Sequence, residues 1–133
     1  MKLRFLGTNS TSGDCPTLYA TDQDSYIVQG WQLFANELLM QLDVPEGDTA
    51  VEVPTELFQH LIKDGLPAGD IKRVQAPIMI LTPQGTCVVQ GKTVTDAGAL
   101  SQMSIPHYET CVEVPKPAIT ALWEETRGAD LQR

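Results

Sequence analysis

The sequence has few aromatic residues and only three cysteines, and each shortage excludes a class of protein. Aromatic residues make up 6% of the 133 residues, so aliphatic side chains must form most of the core. Cys15, Cys87 and Cys111 are odd in number and show no CxxC spacing. This pattern argues against a disulfide framework and against a zinc site. Reduced thiols are typical of the cytoplasm, which is the expected compartment.

Positive charge is also scarce. Nine Lys and Arg oppose 17 Asp and Glu, which gives a net charge of −8, and Lys72-Arg73 is the longest basic run. A protein that binds nucleic acid gains affinity when its Lys and Arg side chains neutralise phosphates, and anionic membranes attract clustered basic residues. We therefore expect no direct nucleic-acid partner and no membrane partner. The acidic surface either keeps the chain soluble or binds a basic protein partner.

Long hydrophobic runs and known catalytic motifs are missing as well. No segment approaches the roughly 18 apolar residues of a membrane span, and the start MKLRFLG lacks the apolar stretch of a secretory signal. There is no GxGxxG or Walker pattern for a phosphate-bearing cofactor. Apolar residues still make up 42% of the chain, which is enough to bury the core of one domain.

What the sequence does contain is an internal repeat. Shifting the chain by 61 residues aligns residues 15–64 with residues 76–125 without a gap, and 15 of the 50 pairs are identical. Ordinary composition would give about three identical pairs by chance. The longest matches are VQG at 28–30 and 89–91, and VEVP at 51–54 and 112–115. We interpret the chain as a tandem duplication.

Each repeat unit has the pattern of a ββαβα unit. Two short β-type runs flank turn residues, a short helix follows at 36–42 or 97–103, and a third strand ends at Pro54 or Pro115. A second helix begins after that proline. In the first unit it ends at Gly65, and in the second unit Trp123 is predicted to lie on its apolar stripe. The predicted class is α+β, as a mixed sheet or a small barrel flanked by short helices.

The repeat also sets the predicted domain organisation. Residues 1–14 form an N-terminal arm with an edge strand, residues 65–75 a linker between the two units, and residues 126–133 a tail. One unit of about 50 residues is marginal for burying its own core, so we expect the two units to share one core with pseudo-two-fold symmetry.

Several polar residues occupy equivalent places in the two units. Glu52 and Glu113 each lie between two valines, so they should face away from the core if the valines face it. Gln29 and Gln90 would lie on neighbouring strands. These residues form either hydrogen-bonded strand faces or a symmetric pair of binding patches. Trp31, whose equivalent is a lysine, is either an exposed interface residue or a core or half-buried residue.

A possible nucleophile lies in the stretch IPHYETC. His107 stands close to Cys111 in the sequence, which is the pairing that activates a catalytic thiol. Cys111, however, occupies a strand position that should face the core, and Cys87 lies within a hairpin, so both are expected to be buried structural thiols. The sequence therefore predicts no catalytic, cofactor-binding or metal-binding residue. The candidate interaction or ligand patch is Gln29, Trp31, Glu52, Gln90, His107 and Glu113.

Two resemblances carry further expectations. The segment LDVPEGDTAVEV at 42–53 resembles the helix–Gly-Asp–strand corner of the swapped-hairpin and double-psi barrel families, which implies a barrel. The second unit has HYE where Gly-Asp should stand. The swapped-hairpin family contains DNA-binding regulators, and the acidity of this chain argues against that role.

Most of the chain also resembles a group of small actinobacterial, Streptomyces-type proteins. The similar segments are RFLG at 4–7, PTLYATD at 16–22, YIVQGW at 26–31, and 94–96 through 112–115. Many of those proteins have a single unit and are encoded near helix-turn-helix regulators. The resemblance implies no particular activity.

The leading hypothesis is a non-enzymatic protein-interaction module, an acidic regulatory partner of a basic DNA-binding protein. The alternative is a small-molecule binding protein or enzyme with its site between the two repeats, since ligand sites favour such junctions. A direct DNA-binding regulator ranks last.

Overall fold

Alternating apolar and polar side chains build most of the regular structure. The computed structural model describes residues 1–8, 16–33 and 44–125. The strands are β1 Leu3–Thr8, β2 Thr17–Thr21, β3 Ser25–Gln32, β4 Asp48–Pro54, β5 Gly69–Ile71, β6 Ile78–Leu81, β7 Thr86–Thr93, β8 Glu109–Pro115 and β9 Trp123–Glu125. The helices are a 3₁₀ helix Thr55–Asp64, α1 Ala97–Leu100 and α2 Lys116–Thr120. The expected mixture of strands and short helices is confirmed, with strands predominating.

Tight turns join β2 to β3 and β6 to β7. Asp24 adopts φ +57° in the first turn and Gly85 adopts φ +84° in the second. Asp and Gly tolerate this left-handed backbone better than most residues. Both connections form the antiparallel hairpins that the turn residues predicted.

The large antiparallel sheet closes on itself through four strand pairings. β3 pairs with β8 along nearly its whole length, and β4 pairs with β7 in the same way. Short ladders join β3 to β4 and β7 to β8. These pairings form the cycle β3–β4–β7–β8–β3. β2 and β1 extend the sheet beyond β3, and β6 lies beside β7.

The main core lies inside this cycle. Val51, Val53, Val112 and Val114 are buried there, and Glu113 and Glu52 between them lie on the opposite face, as the VEVP pattern predicted. The core contains side chains from 18–28, 51–61, 78–89 and 112–122, so both predicted units contribute to it. A smaller cluster of Ile27, Val94, Ala99 and Cys111 lies on the outer face of the sheet, under α1.

Two glycines allow the strands of the cycle to cross closely. A Cβ at Gly30 would lie 2.7 Å from the carbonyl oxygen of Glu52, and one at Gly91 would lie 2.6 Å from that of Glu113. Both distances are shorter than any ordinary carbon–oxygen contact. Gly30 lies within β3 and Gly91 within β7, where only hydrogen fits between the crossing backbones.

The helices differ in part from the sequence interpretation. The first helix of the first unit was predicted at 36–42, which lies outside the described residues. Its counterpart was predicted to reach Met103 but ends at Leu100, after which the backbone continues in single turns. The Gln102 side chain there turns back to the carbonyl oxygens of Gly98 and Met1. The 3₁₀ helix ends at Gly65, which has φ +93°.

The segment predicted as a linker contains a strand. β5 pairs with β9 as a separate two-stranded sheet, with Ile71 opposite Trp123. Trp123 was predicted on the apolar stripe of the second helix. α2 ends before it, and the indole nitrogen donates to the carbonyl oxygen of Pro67 at 2.8 Å. Within the described residues, no helix has the length and apolar character needed to cross a membrane.

A buried carboxylate fastens the 3₁₀ helix to three other elements. Asp64 accepts a hydrogen bond from the Tyr26 hydroxyl at 2.6 Å and pairs with the Lys116 ammonium at 3.1 Å. Arg4 on β1 donates to its other oxygen. Burial raises the pKa of Asp64, but the hydrogen bonds from Tyr26, Lys116 and Arg4 outweigh it and hold that pKa below its ordinary value.

We expect Gly91→Ala to lower the free energy of unfolding by about 1–3 kcal/mol, because the added methyl group collides with backbone. Urea denaturation measures the change. Gly98→Ala is the control, since Gly98 is exposed and the nearest atom to the added Cβ is an Asp96 side-chain oxygen at 3.1 Å, not a backbone atom of a crossing strand. Equal stability of Gly91→Ala and the wild type would contradict the close crossing.

We expect Asp64→Asn to cost about 2–3 kcal/mol at pH 7, because it removes a charge that accepts three hydrogen bonds. The pKa of Asp64 is lower in the folded chain, so its stabilisation is present above the ordinary value of 3.8 and is lost as pH falls further. Urea denaturation at pH 7 and at about pH 3 should show the difference from wild type shrinking. Glu125→Gln is the exposed control. A difference independent of pH would contradict this role.

Candidate functional site

The outer face of the strand cycle brings together three charged side chains. Lys92 on β7 lies directly opposite Asp48 on β4 and directly opposite Glu113 on β8. Side chains paired in this way have Cβ atoms about 4.5–5.5 Å apart. Among the described residues, however, no carboxylate oxygen lies within 4 Å of the Lys92 ammonium. The three charges therefore stand side by side without forming an ion pair.

A cleft of about 390 Å3 opens at this place. Its polar part is formed by Asp48, Gln90, Lys92 and Glu113. The rest of its wall is mostly apolar and comes from the segment before β6, from β6 itself, and from the end of β8 and the start of α2. These wall residues are Ala76, Pro77, Met79, Gly91, Val114, Pro115 and Ala118. The cleft lies where strands from the two predicted units meet.

Two further clefts adjoin the first. One, of about 290 Å3, is lined by Lys92, by Glu113 and by the β2–β3 turn, where Asp24 contributes another carboxylate. The other, of about 360 Å3, begins at Asp48 and extends along Thr93 and Thr110. We call this continuous surface the acidic groove, and its charged residues are Asp24, Asp48, Lys92 and Glu113.

Of the residues predicted to form a patch, Gln90 and Glu113 line the cleft. The Glu113 Oε2 accepts a hydrogen bond from the Ser25 hydroxyl at 2.6 Å, which fixes the carboxylate beside the cleft. The Gln90 Oε1 is buried, and no described residue forms a hydrogen bond with it. A buried acceptor without a donor costs stability unless a bound group supplies one.

Gln29 occupies a different environment. It is 1% exposed, and its amide nitrogen donates to Glu109 Oε1 at 2.7 Å and to the carbonyl oxygen of Ser104 at 2.8 Å. Gln29 thus forms a Gln–Glu hydrogen bond with Glu109, and not with Glu52 or Glu113. This pair is buried under the loop after α1 and does not line the cleft.

Glu52 and Trp31 lie opposite each other in the ladder between β3 and β4. Trp31 is half-buried, as one of its two interpretations predicted. The Glu52 Oε2 accepts a hydrogen bond from the Thr86 hydroxyl at 2.6 Å. Neither residue lines the three clefts described above.

His107 is exposed and its ring packs edge-on against Tyr108, with the ring centroids 5.5 Å apart. It does not line the acidic groove. The structure thus brings two of the six predicted patch residues into the cleft.

The two described thiols are buried. Burial raises the pKa of Cys87 to about 12 and that of Cys111 to about 11. A thiol with so high a pKa carries almost no thiolate at neutral pH and is a poor nucleophile. Cys111 faces the smaller outer cluster, whereas the sequence interpretation placed it in the main core.

We expect Cys87 and Cys111 in the folded protein to react with iodoacetamide at pH 8 at least about a hundredfold more slowly than in the urea-unfolded chain. Peptide mapping by mass spectrometry separates the sites. Alkylation of Cys111 at the rate of the unfolded chain would contradict its structural role and would support the alternative that Cys111 is a nucleophile.

Sequence reasoning missed Lys92 and Asp48. Each had a detectable signal in the 61-residue alignment, since Lys92 replaces the tryptophan of the first unit and Asp48 aligns with the acidic Glu109. The change of residue type marks a position where the two units differ, and the retained charge marks a position that is acidic in both. Among the described residues, no group of three or more His, Cys, Asp and Glu side chains is arranged to hold a metal ion.

No known protein family, curated protein or solved structure matches the chain.

Proposed function

We propose that the chain is a tandem duplication of a ββαβα unit, residues 15–64 and 76–125, folded with pseudo-two-fold symmetry. Contacts that recur at the 61-residue spacing support this proposal. Ser25 donates to Glu113 as Thr86 donates to Glu52, each at 2.6 Å. The backbone N–H of Lys116 meets the Asp24 carbonyl as that of Thr55 meets the Gly85 carbonyl.

The same spacing relates the strand ladders. Trp31 lies opposite both Glu52 and Glu109, and Lys92 lies opposite their counterparts, Glu113 and Asp48. On this proposal the two equivalent positions have diverged, one to an aromatic side chain and one to a cation, while each keeps two acidic neighbours.

We infer that the protein is a non-enzymatic interaction module of the cytoplasm that binds a basic partner protein. The distribution of charge is the observation that carries this inference. Arg4 and Lys116 both pair with Asp64, and Arg73 pairs with Glu124, so three of the seven described Lys and Arg side chains are used on two carboxylates. Asp24, Asp48 and Glu113 form no ion pair with any Lys or Arg side chain among the described residues.

The acidic groove is the surface that best suits such a partner. It combines three carboxylates with one lysine along adjoining clefts, so it has a net negative charge. Complementary charge accelerates association and selects basic partners over acidic ones. A DNA-binding regulator presents a basic surface of this kind, and the same groove would repel duplex DNA.

The experiment has two steps. The tagged protein first captures partners from an actinobacterial lysate, and the candidate is then purified and titrated against the wild type, Asp24→Asn and Glu125→Gln at two salt concentrations. Asp24 lies in the groove, and Asn tolerates its left-handed backbone, so the fold should be kept. Glu125 is an exposed carboxylate on β9, outside the groove.

We expect Asp24→Asn to weaken partner binding about three- to tenfold, Glu125→Gln to leave it unchanged, and salt to reduce the difference. The result that overturns the proposal is tight binding to duplex DNA at physiological salt, or a partner whose affinity responds neither to Asp24→Asn nor to salt.

A second candidate function is binding of a small molecule in the 390 Å3 cleft. The specific observation that favours it is the combination of an apolar wall with a few convergent polar groups, which is typical of ligand sites at the junction of structural units. The cleft is part of the acidic groove, so a bound small molecule and a bound partner would share Asp48, Lys92 and Glu113.

A further inference from the structure

The polar end of the cleft contains both signs of charge. Lys92 provides a cation, and Asp48 and Glu113 provide two anions, one from each neighbouring strand. Because the Lys92 ammonium has no carboxylate within 4 Å among the described residues, its charge is available to a bound anion. The carboxylates are likewise available to a bound cation.

The rest of the cleft has a different chemistry. Pro77, Met79, Val114 and Ala118 are among the side chains that give it a mainly apolar wall. Its volume of about 390 Å3 is at the lower end of the range for small-molecule sites. The cleft therefore suits a small ligand with a charged end and an apolar body.

The Gln90 amide supports a ligand with N–H donors. Its Oε1 is buried without a hydrogen-bond partner among the described residues, and Gln90 contributes to the same cleft as Lys92 and Glu113. A buried acceptor is stabilised when a donor reaches it. An ammonium group has three donors, so it can bond to Gln90 and to a neighbouring carboxylate at the same time.

We propose that the cleft binds a free α-amino acid with an apolar side chain. Its carboxylate binds Lys92, its ammonium binds the Gln90 Oε1 and one of the two carboxylates that flank Lys92, and its side chain contacts the apolar wall. A ligand with both charges can pair with Lys92 and with a carboxylate at once, whereas a simple anion or a simple cation leaves one sign of charge in the cleft unpaired. The proposal rests on the second candidate function.

The first measurement is a thermal-shift screen of the full-length protein with each of the twenty standard amino acids at about 10 mM, and with a panel of nucleotides and sugar phosphates. A ligand present at ten times its Kd should raise Tm by about 4 °C in a domain of this size. We expect apolar amino acids to raise Tm. The best one is then compared with its amine analogue, which lacks the carboxylate, and its acid analogue, which lacks the ammonium.

The ligand requires both charges, so each analogue should bind at least about tenfold more weakly by calorimetry. Failure of all twenty amino acids overturns the proposal. If a nucleotide or sugar phosphate raises Tm instead, the second candidate function stands and only the ligand class is wrong. If nothing in either panel binds, both are wrong.

Two variants locate the site. Lys92→Met removes the cation while keeping an exposed side chain of similar length, and should weaken amino-acid binding at least about tenfold. Lys72→Met is the matched control, because Lys72 is exposed and does not line the cleft, and it should bind as the wild type does. Asp24→Asn should also leave amino-acid binding unchanged. Unchanged affinity in Lys92→Met places the ligand elsewhere and overturns the proposal.

Discussion

The close crossing of the strands at Gly30 and Gly91 is the constraint on which the closed strand cycle depends. At each crossing a backbone carbonyl of the neighbouring strand lies where a side chain would begin. Only because these two positions have no side chain can β3 reach both β4 and β8, and β7 reach both β4 and β8. The valines between the crossings then point inward and fill the core, and the charged residues that alternate with them point outward. The acidic groove is thus a consequence of the same alternation that forms the core.

The local pattern of the chain predicted its strands well. The VEVP segments define both the inward valines and the ends of β4 and β8, because alternation and proline act over a few residues. The position of Lys92 between Asp48 and Glu113 could not be predicted, because it depends on how strands far apart in the sequence come together. The 61-residue alignment shows which residues are equivalent but gives no register between the strands. For the same reason the sequence did not predict that Gln29 bonds to Glu109.

The sequence predicted the helix boundaries less well than the strands. The apolar spacing after Asp96 predicted a helix to Met103, but the side chain of Gln102 bonds back to the helix and to the N-terminal segment, and α1 is short. Trp123 fitted a helical stripe by spacing alone, yet it lies in a strand that pairs with β5. In both cases tertiary contacts decided the local structure, and periodicity in the sequence carries no information about them.

The long ladders of the sheet have a consequence for biosynthesis. The main partner of β3 is β8, with Gln29 opposite Cys111, and the main partner of β4 is β7. Both β3 and β4 therefore lack their main partner until the second half of the chain has been synthesised. On the ribosome, the first half of the chain emerges with its valine-rich strands unpaired and its core incomplete. These pairings join residues that are far apart in the sequence, so the protein has a high contact order and a slow folding step. That step is also late, because the fold can form only after β8 has left the exit tunnel. During translation, the apolar strands of the first half are the part of the chain most exposed to aggregation and to capture by chaperones.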